Sequence, residues 1–143
     1  MKLYEEYSKQ SLPSRKYREL LGSAICVFNS NNAFIIENIL NKDEENRFNW
    51  HELIDYTSGQ LSQPIKETIT KFSDTKITSC FSEVIVMRNR IIHSFQITNV
   101  DGKQTLATKY KNGKQFIITE DYLYNFIKKN EELSNLLHEF RGY

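Results

Sequence analysis

The stretch "RNRIIH", residues 88–93, places Arg88, Asn89, Arg90 and His93 within the most apolar helical pattern of the chain. A charged group buried without a partner costs several kcal/mol, so these side chains must reach solvent, a partner or a site. Histidine has an ordinary pKa near 6.5 and can give or take a proton at neutral pH. Arginine stays charged and presents a fork of donors that matches phosphate oxygens. Together they suit proton transfer beside an anionic centre.

At 100° per residue, Asn89 and His93 share a helix face and Arg90 flanks it, whereas Arg88 lies about 140° round from His93. One helix therefore does not aim Arg88 and His93 the same way. Two copies meeting about a two-fold axis could put both arginines and both histidines in one cleft. The residues alone also admit a plainer reading, with Arg88 and Arg90 on the surface and His93 an interior hydrogen-bonded histidine.

Lys109, Lys111 and Lys114 surround a "KNG" turn with Tyr110. They are either a solvated hairpin tip or a grip on RNA backbone with an aromatic for stacking. His51 and His138 read as helix-surface residues. The three histidines have no metal-ligand spacing and no CxxC occurs, so no metal site or cofactor is expected. Cys26 and Cys80 fall among helical apolar positions and read as buried free thiols.

The elements that carry these residues follow from periodicity. Ser14 to about Leu40 has apolar positions in steps of three and four. "NSNN" (29–32) interrupts them, yet Phe28 and Ile35 stay in phase, which favours one long helix. The asparagines suit a kink, a solvated face or a polar patch. Asn49, with Glu52 three residues on, resembles a capping box, and Gly59 is placed to stop that helix. Leu61, Ile65, Ile69 and Phe72 mark a third segment, with Pro64 in its first turn. After "SDTKITS", Thr78 or Ser79 can cap the motif helix, predicted over Ser79 to Phe95. Its predicted stripe is Phe81, Val84, Ile85, Ile91, Ile92 and Phe95.

Beyond it the period becomes alternating. Asp101-Gly102 and Asn112-Gly113 suit two-residue hairpin turns, so three antiparallel strands are expected over about 96–118. Thr119 can cap a last helix with Glu120 and Asp121 in its first turn. The predicted architecture is mainly α: a helical bundle with a small three-stranded antiparallel β-meander inserted before the last helix.

The chain has 143 residues, 39% hydrophobic, with 5 Gly and 2 Pro, which suits one domain over residues 1–143. Its net charge of +1 gives no compositional argument for a nucleic-acid or membrane partner. The N-terminus lacks a signal-peptide h-region, and the longest apolar runs are too short to span a bilayer. A cytoplasmic protein is expected.

"RNRIIH" resembles the Arg-x(4–6)-His motif of the HEPN superfamily, in which a polar residue such as Asn often follows the arginine. The resemblance implies a helical bundle, commonly dimeric, with the motif on a late helix lining the dimer cleft. Family members include metal-independent endoribonucleases of toxin–antitoxin, abortive-infection and CRISPR systems, and non-catalytic partners of small nucleotidyltransferases. Carried onto this chain, it makes Arg88 and His93 the catalytic pair and Asn89 the polar residue beside them. Arg90 has no fixed family role but could contact a phosphate. The implied substrate is RNA, and an antitoxin or nucleotidyltransferase is an implied partner. The branch paired with nucleotidyltransferases often extends the motif to a tyrosine two residues after the histidine, where this chain has Phe95. Regulation through that hydroxyl is therefore not expected. The meander is an elaboration on the minimal bundle.

Overall fold

The structure, a computed structural model, describes residues 3–142. Five α-helices and three strands follow in the order α1 (Arg15–Asn41), α2 (Trp50–Asp55), α3 (Ser62–Glu67), α4 (Lys76–Ile92), β1 (Phe95–Thr98), β2 (Gln104–Lys109), β3 (Gln115–Ile118) and α5 (Glu120–Arg141). The chain is mainly α, with an antiparallel meander of order β1-β2-β3 before the last helix.

Ser14 caps α1, its hydroxyl accepting from Tyr17 N–H at 3.1 Å. The helix continues through the asparagines without a break. Two of them are used inside the fold. Asn31 is buried and donates to the carbonyl and the side-chain oxygen of Asn130, while Asn32 accepts from Ser58 at 3.1 Å. Tyr17 meets Ile118, Asn31 meets Asn130 and Phe34 meets His138, so α1 and α5 run parallel. Cys80 approaches the Lys129 carbonyl and Tyr122 donates to Met87 O, so α4 runs antiparallel to α5. Phe28 of α1 stacks on both Phe81 of α4 and Phe126 of α5. Buried residues from every helix and from β3 join one hydrophobic cluster.

Several boundaries differ from expectation. Only half of the capping box forms at Asn49, which accepts from Glu52 N–H at 2.9 Å. The helix stops at Asp55, and Gly59 lies in the 3-10 turn Ser58–Leu61 rather than ending a helix. The third segment breaks after Glu67, where the Thr68 hydroxyl donates back to Pro64 O at 2.7 Å. Phe72 consequently lies exposed in a separate 3-10 turn, Thr70–Phe72. The motif helix starts at Lys76, not Ser79, because Asp74 Oδ1 accepts from Lys76 N–H at 2.9 Å. Thr78 is then inside the helix, and its hydroxyl meets that of Thr70 at 3.0 Å.

The same helix ends at Ile92, with His93 as its C-cap, and Phe95 opens β1. Leaving the helix so early puts Ile92 and Phe95 in solvent instead of the predicted stripe. Ile77 and Cys80 join Phe81, Val84 and Ile91 in the core instead. Cys26 is exposed and Cys80 buried, both free.

The hairpin loops have three residues, not two. Asn99 N–H bonds Lys103 O at 2.8 Å and Tyr110 N–H bonds Lys114 O at 2.9 Å. Gly102 and Gly113 take φ of +78° and +89°, whereas Asp101 and Asn112 do not cross to positive φ. A turn followed by one left-handed glycine closes a three-residue loop, so a single glycine suffices in each. Thr119 caps α5 by accepting from Tyr122 N–H at 3.0 Å, and Gly142 ends it at φ +91°. Among the described residues, no helix is long and apolar enough to cross a membrane.

Candidate active site

The last turn of α4 carries the motif, and the register of that helix decides where each side chain goes. Ile91 is drawn into the core. Arg88, three residues back, is therefore only half-buried on the side facing α1. Its guanidinium lies over the Phe28 ring, 5.2 Å from the centroid, and Nη1 donates to Asn89 Oδ1 at 3.4 Å. A cation on an aromatic face is electrostatically held, which anchors the Arg88 head at the edge of the core.

His93 sits at the helix C-cap, exposed, with its main-chain N–H donating to Asn89 O at 3.0 Å. Among the described residues, no side chain bonds its ring. It is thus not an interior hydrogen-bonded histidine. Asn89 touches both neighbours, through its side chain to Arg88 and its carbonyl to His93. Within one chain, however, Arg88 turns toward α1 and His93 toward solvent. The two ends of the motif are linked only through Asn89.

Arg90 has a separate task. It donates to the carbonyl of Lys109 and lies 5.9 Å from the centroid of the Tyr110 ring. This ties the end of α4 to the β2–β3 hairpin and brings its lysines to the motif's end of the bundle. Lys109, Lys111 and Lys114 are all exposed. None of the three forms an ion pair among the described residues. The sequence did not reveal that link, because its acceptor is a main-chain carbonyl.

Beneath Arg90 the aromatics continue inward. Tyr110 meets Phe116 at 5.2 Å between centroids, and Phe116 meets Tyr122 at 5.7 Å. Burial pushes the Tyr122 hydroxyl up to about 12, Tyr110 adds to the rise, and Arg90 opposes it. Tyr122 therefore stays a neutral donor to Met87 O.

The remaining histidines lie apart from this cluster. His51 is exposed, edge-on to Trp50. His138 is exposed on α5, with Nδ1 2.8 Å from Ser134 O. Among the described residues, no group of three or more His, Cys, Asp or Glu side chains is placed to hold a metal ion.

What the cluster can do chemically follows from its parts. It offers one accessible imidazole, an amide beside it, a guanidinium fixed over an aromatic ring, and a hairpin of unpaired ammonium groups. Such a set has donors that match phosphate oxygens and a group suited to moving a proton. No protein-family model, curated protein or solved structure matches the chain.

Proposed function

We propose that this chain is a metal-independent endoribonuclease of the HEPN type, acting as a homodimer in a defence or toxin-type system of the cytoplasm. The observation that carries the reading is the exposed His93, joined through Asn89 to Arg88 and set beside a basic hairpin.

In this reading the substrate supplies its own nucleophile. His93 takes the proton from a ribose 2′-OH as that oxygen attacks the adjacent phosphorus, or returns a proton to the departing 5′-oxygen. The products are a 2′,3′-cyclic phosphate and a 5′-hydroxyl. Arg88 stabilises the crowded anionic transition state. Asn89 orients the pair, while Arg90, Lys109, Lys111 and Lys114 hold the RNA backbone. A second copy would supply the arginine that faces each histidine, since one chain turns its own Arg88 toward α1. An antitoxin or nucleotidyltransferase would be the natural regulator.

The same orientation of Arg88 supports one alternative. A non-catalytic HEPN-like module would use these residues to bind a nucleotide or a partner protein.

The test compares wild type and His93→Ala on labelled RNA with EDTA present, folding being checked by circular dichroism. A placed acid–base histidine contributes about a hundred- to ten-thousand-fold, so His93→Ala should lose nearly all cleavage. Cleavage by wild type alone, ending in 2′,3′-cyclic phosphate, supports the ribonuclease. RNA or nucleotide binding with no cleavage by folded protein supports the binding module. Equal cleavage by both variants removes His93 from the chemistry.

A further inference from the structure

The parallel packing of α1 and α5 has an electrostatic result far from the α4 motif. Both helices, 27 and 22 residues long, begin at the same end of the bundle. Their caps, Ser14 and Thr119, line one open cleft of about 580 Å³ between the leading segment, the β1–β2 turn and the start of α5. Each helix start leaves main-chain N–H groups without an intrahelical acceptor and carries partial positive charge.

Two further features set this cleft apart. Thr105 lines it, is only 7% exposed, and has no hydrogen-bond partner for its hydroxyl among the described residues. Its hydroxyl oxygen is not sealed from solvent, the sealed and unpartnered side-chain atoms among the described residues being Thr108 Oγ1 and Arg141 Nη1, so it is open to an occupant of the cleft. In addition, α1 has no acidic residue in its first turn and starts with Arg15 and Lys16. Cations at a helix start oppose its dipole; these two do not line the cleft, and the cation on its wall is Lys103. The opposing carboxylates are already engaged. Glu5 pairs with Arg15 and Arg18 at 3.5 and 3.7 Å, and Glu120, on the wall itself, pairs with Lys16 at 3.5 Å. Asp121 adds one more acid in the first turn of α5.

We propose that this cleft binds a phosphate group, held by the starts of α1 and α5, the Thr105 hydroxyl and Lys103. Leu12 and Ile117 on the walls would meet the apolar part of a ligand of nucleotide size, and the volume lies in the range of small-molecule sites. None of the α4 motif residues lines the cleft, so this site is independent of the proposed ribonuclease.

The experiment titrates the ¹⁵N-labelled full chain with inorganic phosphate and, separately, adenosine 5′-monophosphate, at constant ionic strength with chloride as control. Saturable shifts of the Arg15, Lys16, Glu120 and Asp121 amides are expected. Thr105→Val, which keeps the shape but removes the hydroxyl, and Lys103→Ala should each weaken binding by about tenfold, the value of a charge-assisted hydrogen bond. Glu120→Gln should tighten it, and His93→Ala should leave it unchanged. Tighter binding of the nucleotide than of phosphate assigns a nucleotide ligand, and equal binding assigns the free anion. Linear shifts that follow chloride, or wild-type affinity in both weakening variants, overturn the proposal.

Discussion

The side-chain amide of Asn31 donates to both the main-chain carbonyl and the side-chain oxygen of Asn130, at 2.8 and 3.1 Å, inside the α1–α5 interface. Asn130 passes the chain of bonds on, donating to Phe126 O at 2.9 Å. Replacing Asn31 alone by leucine strands the Asn130 oxygen, and leaving a buried group unpaired costs about 1–3 kcal/mol. The double variant, leucine at both positions, should cost clearly less than the sum of the single changes. Urea unfolding of the four proteins measures this coupling, and strictly additive losses would show that the pair does not act as a unit.

Tyr17 does for the sheet what Asn31 does for the helices. Its hydroxyl donates to Ile118 O at 2.6 Å and accepts from Leu106 N–H at 3.2 Å, joining two strand residues that lie opposite each other. Tyr17→Phe should lower stability by about 1–3 kcal/mol and speed hydrogen exchange at the Leu106 amide. Unchanged exchange there would mean that the hydroxyl does not hold the strands.

The hairpin lysines give a prediction in salt. If Lys109, Lys111 and Lys114 contact single-stranded RNA, changing all three to Gln should reduce the slope of log affinity against log salt by about 2, from roughly 0.7 per phosphate contact. Fluorescence anisotropy across a salt series reads this directly. A slope equal to that of wild type would assign the lysines to a solvated tip.

The two thiols should separate in reactivity. Cys26 is exposed, whereas burial, with smaller contributions from Glu132 and Glu83 against Lys129, pushes Cys80 from 9.0 up to about 11. A disulfide reagent near neutral pH should therefore titrate Cys26 in the native protein and Cys80 only after unfolding. The sign for stability follows. The unfolded chain loses the Cys80 proton near its ordinary value while the fold retains it, so stability is full below about 9 and falls as pH rises toward 11. Tyr122, pushed from 10.0 up to about 12, extends the decline. Thermal unfolding against pH checks both, and Cys80→Ala should flatten the lower part of the decline.

Local signals proved readable where one residue decides the outcome. Thr119 caps the helix it was expected to cap, the long first helix begins where its period was expected to begin, and the shift from helical to alternating period marks the meander. The ends of α4 were not readable in the same way. Thr78 and Ser79 are good caps in isolation, but Asp74 reaches the helix start first. Ile92 and Phe95 carry the right period, yet the helix ends before the period could use them. The asparagines suited a kink, a solvated face or a polar patch, and the buried role of Asn31 was not legible because its partner lies 99 positions away. At the candidate site, the exposure of His93 and the perch of Arg88 on Phe28 depend on how α1 meets α4, which no spacing along the chain encodes.

Because α1 lies along α5, the helix completed first takes much of its cover from the helix completed last. While a ribosome is still producing the segment between them, Phe28, Ile35 and Ile39 of α1 lack the neighbours that bury them in the finished fold. Closing so long a loop costs entropy before any contact repays it, and non-local contacts slow folding. This largely helical chain should therefore fold late and more slowly than its helix content suggests, and its nascent form carries a sticky stripe that chaperones would recognise.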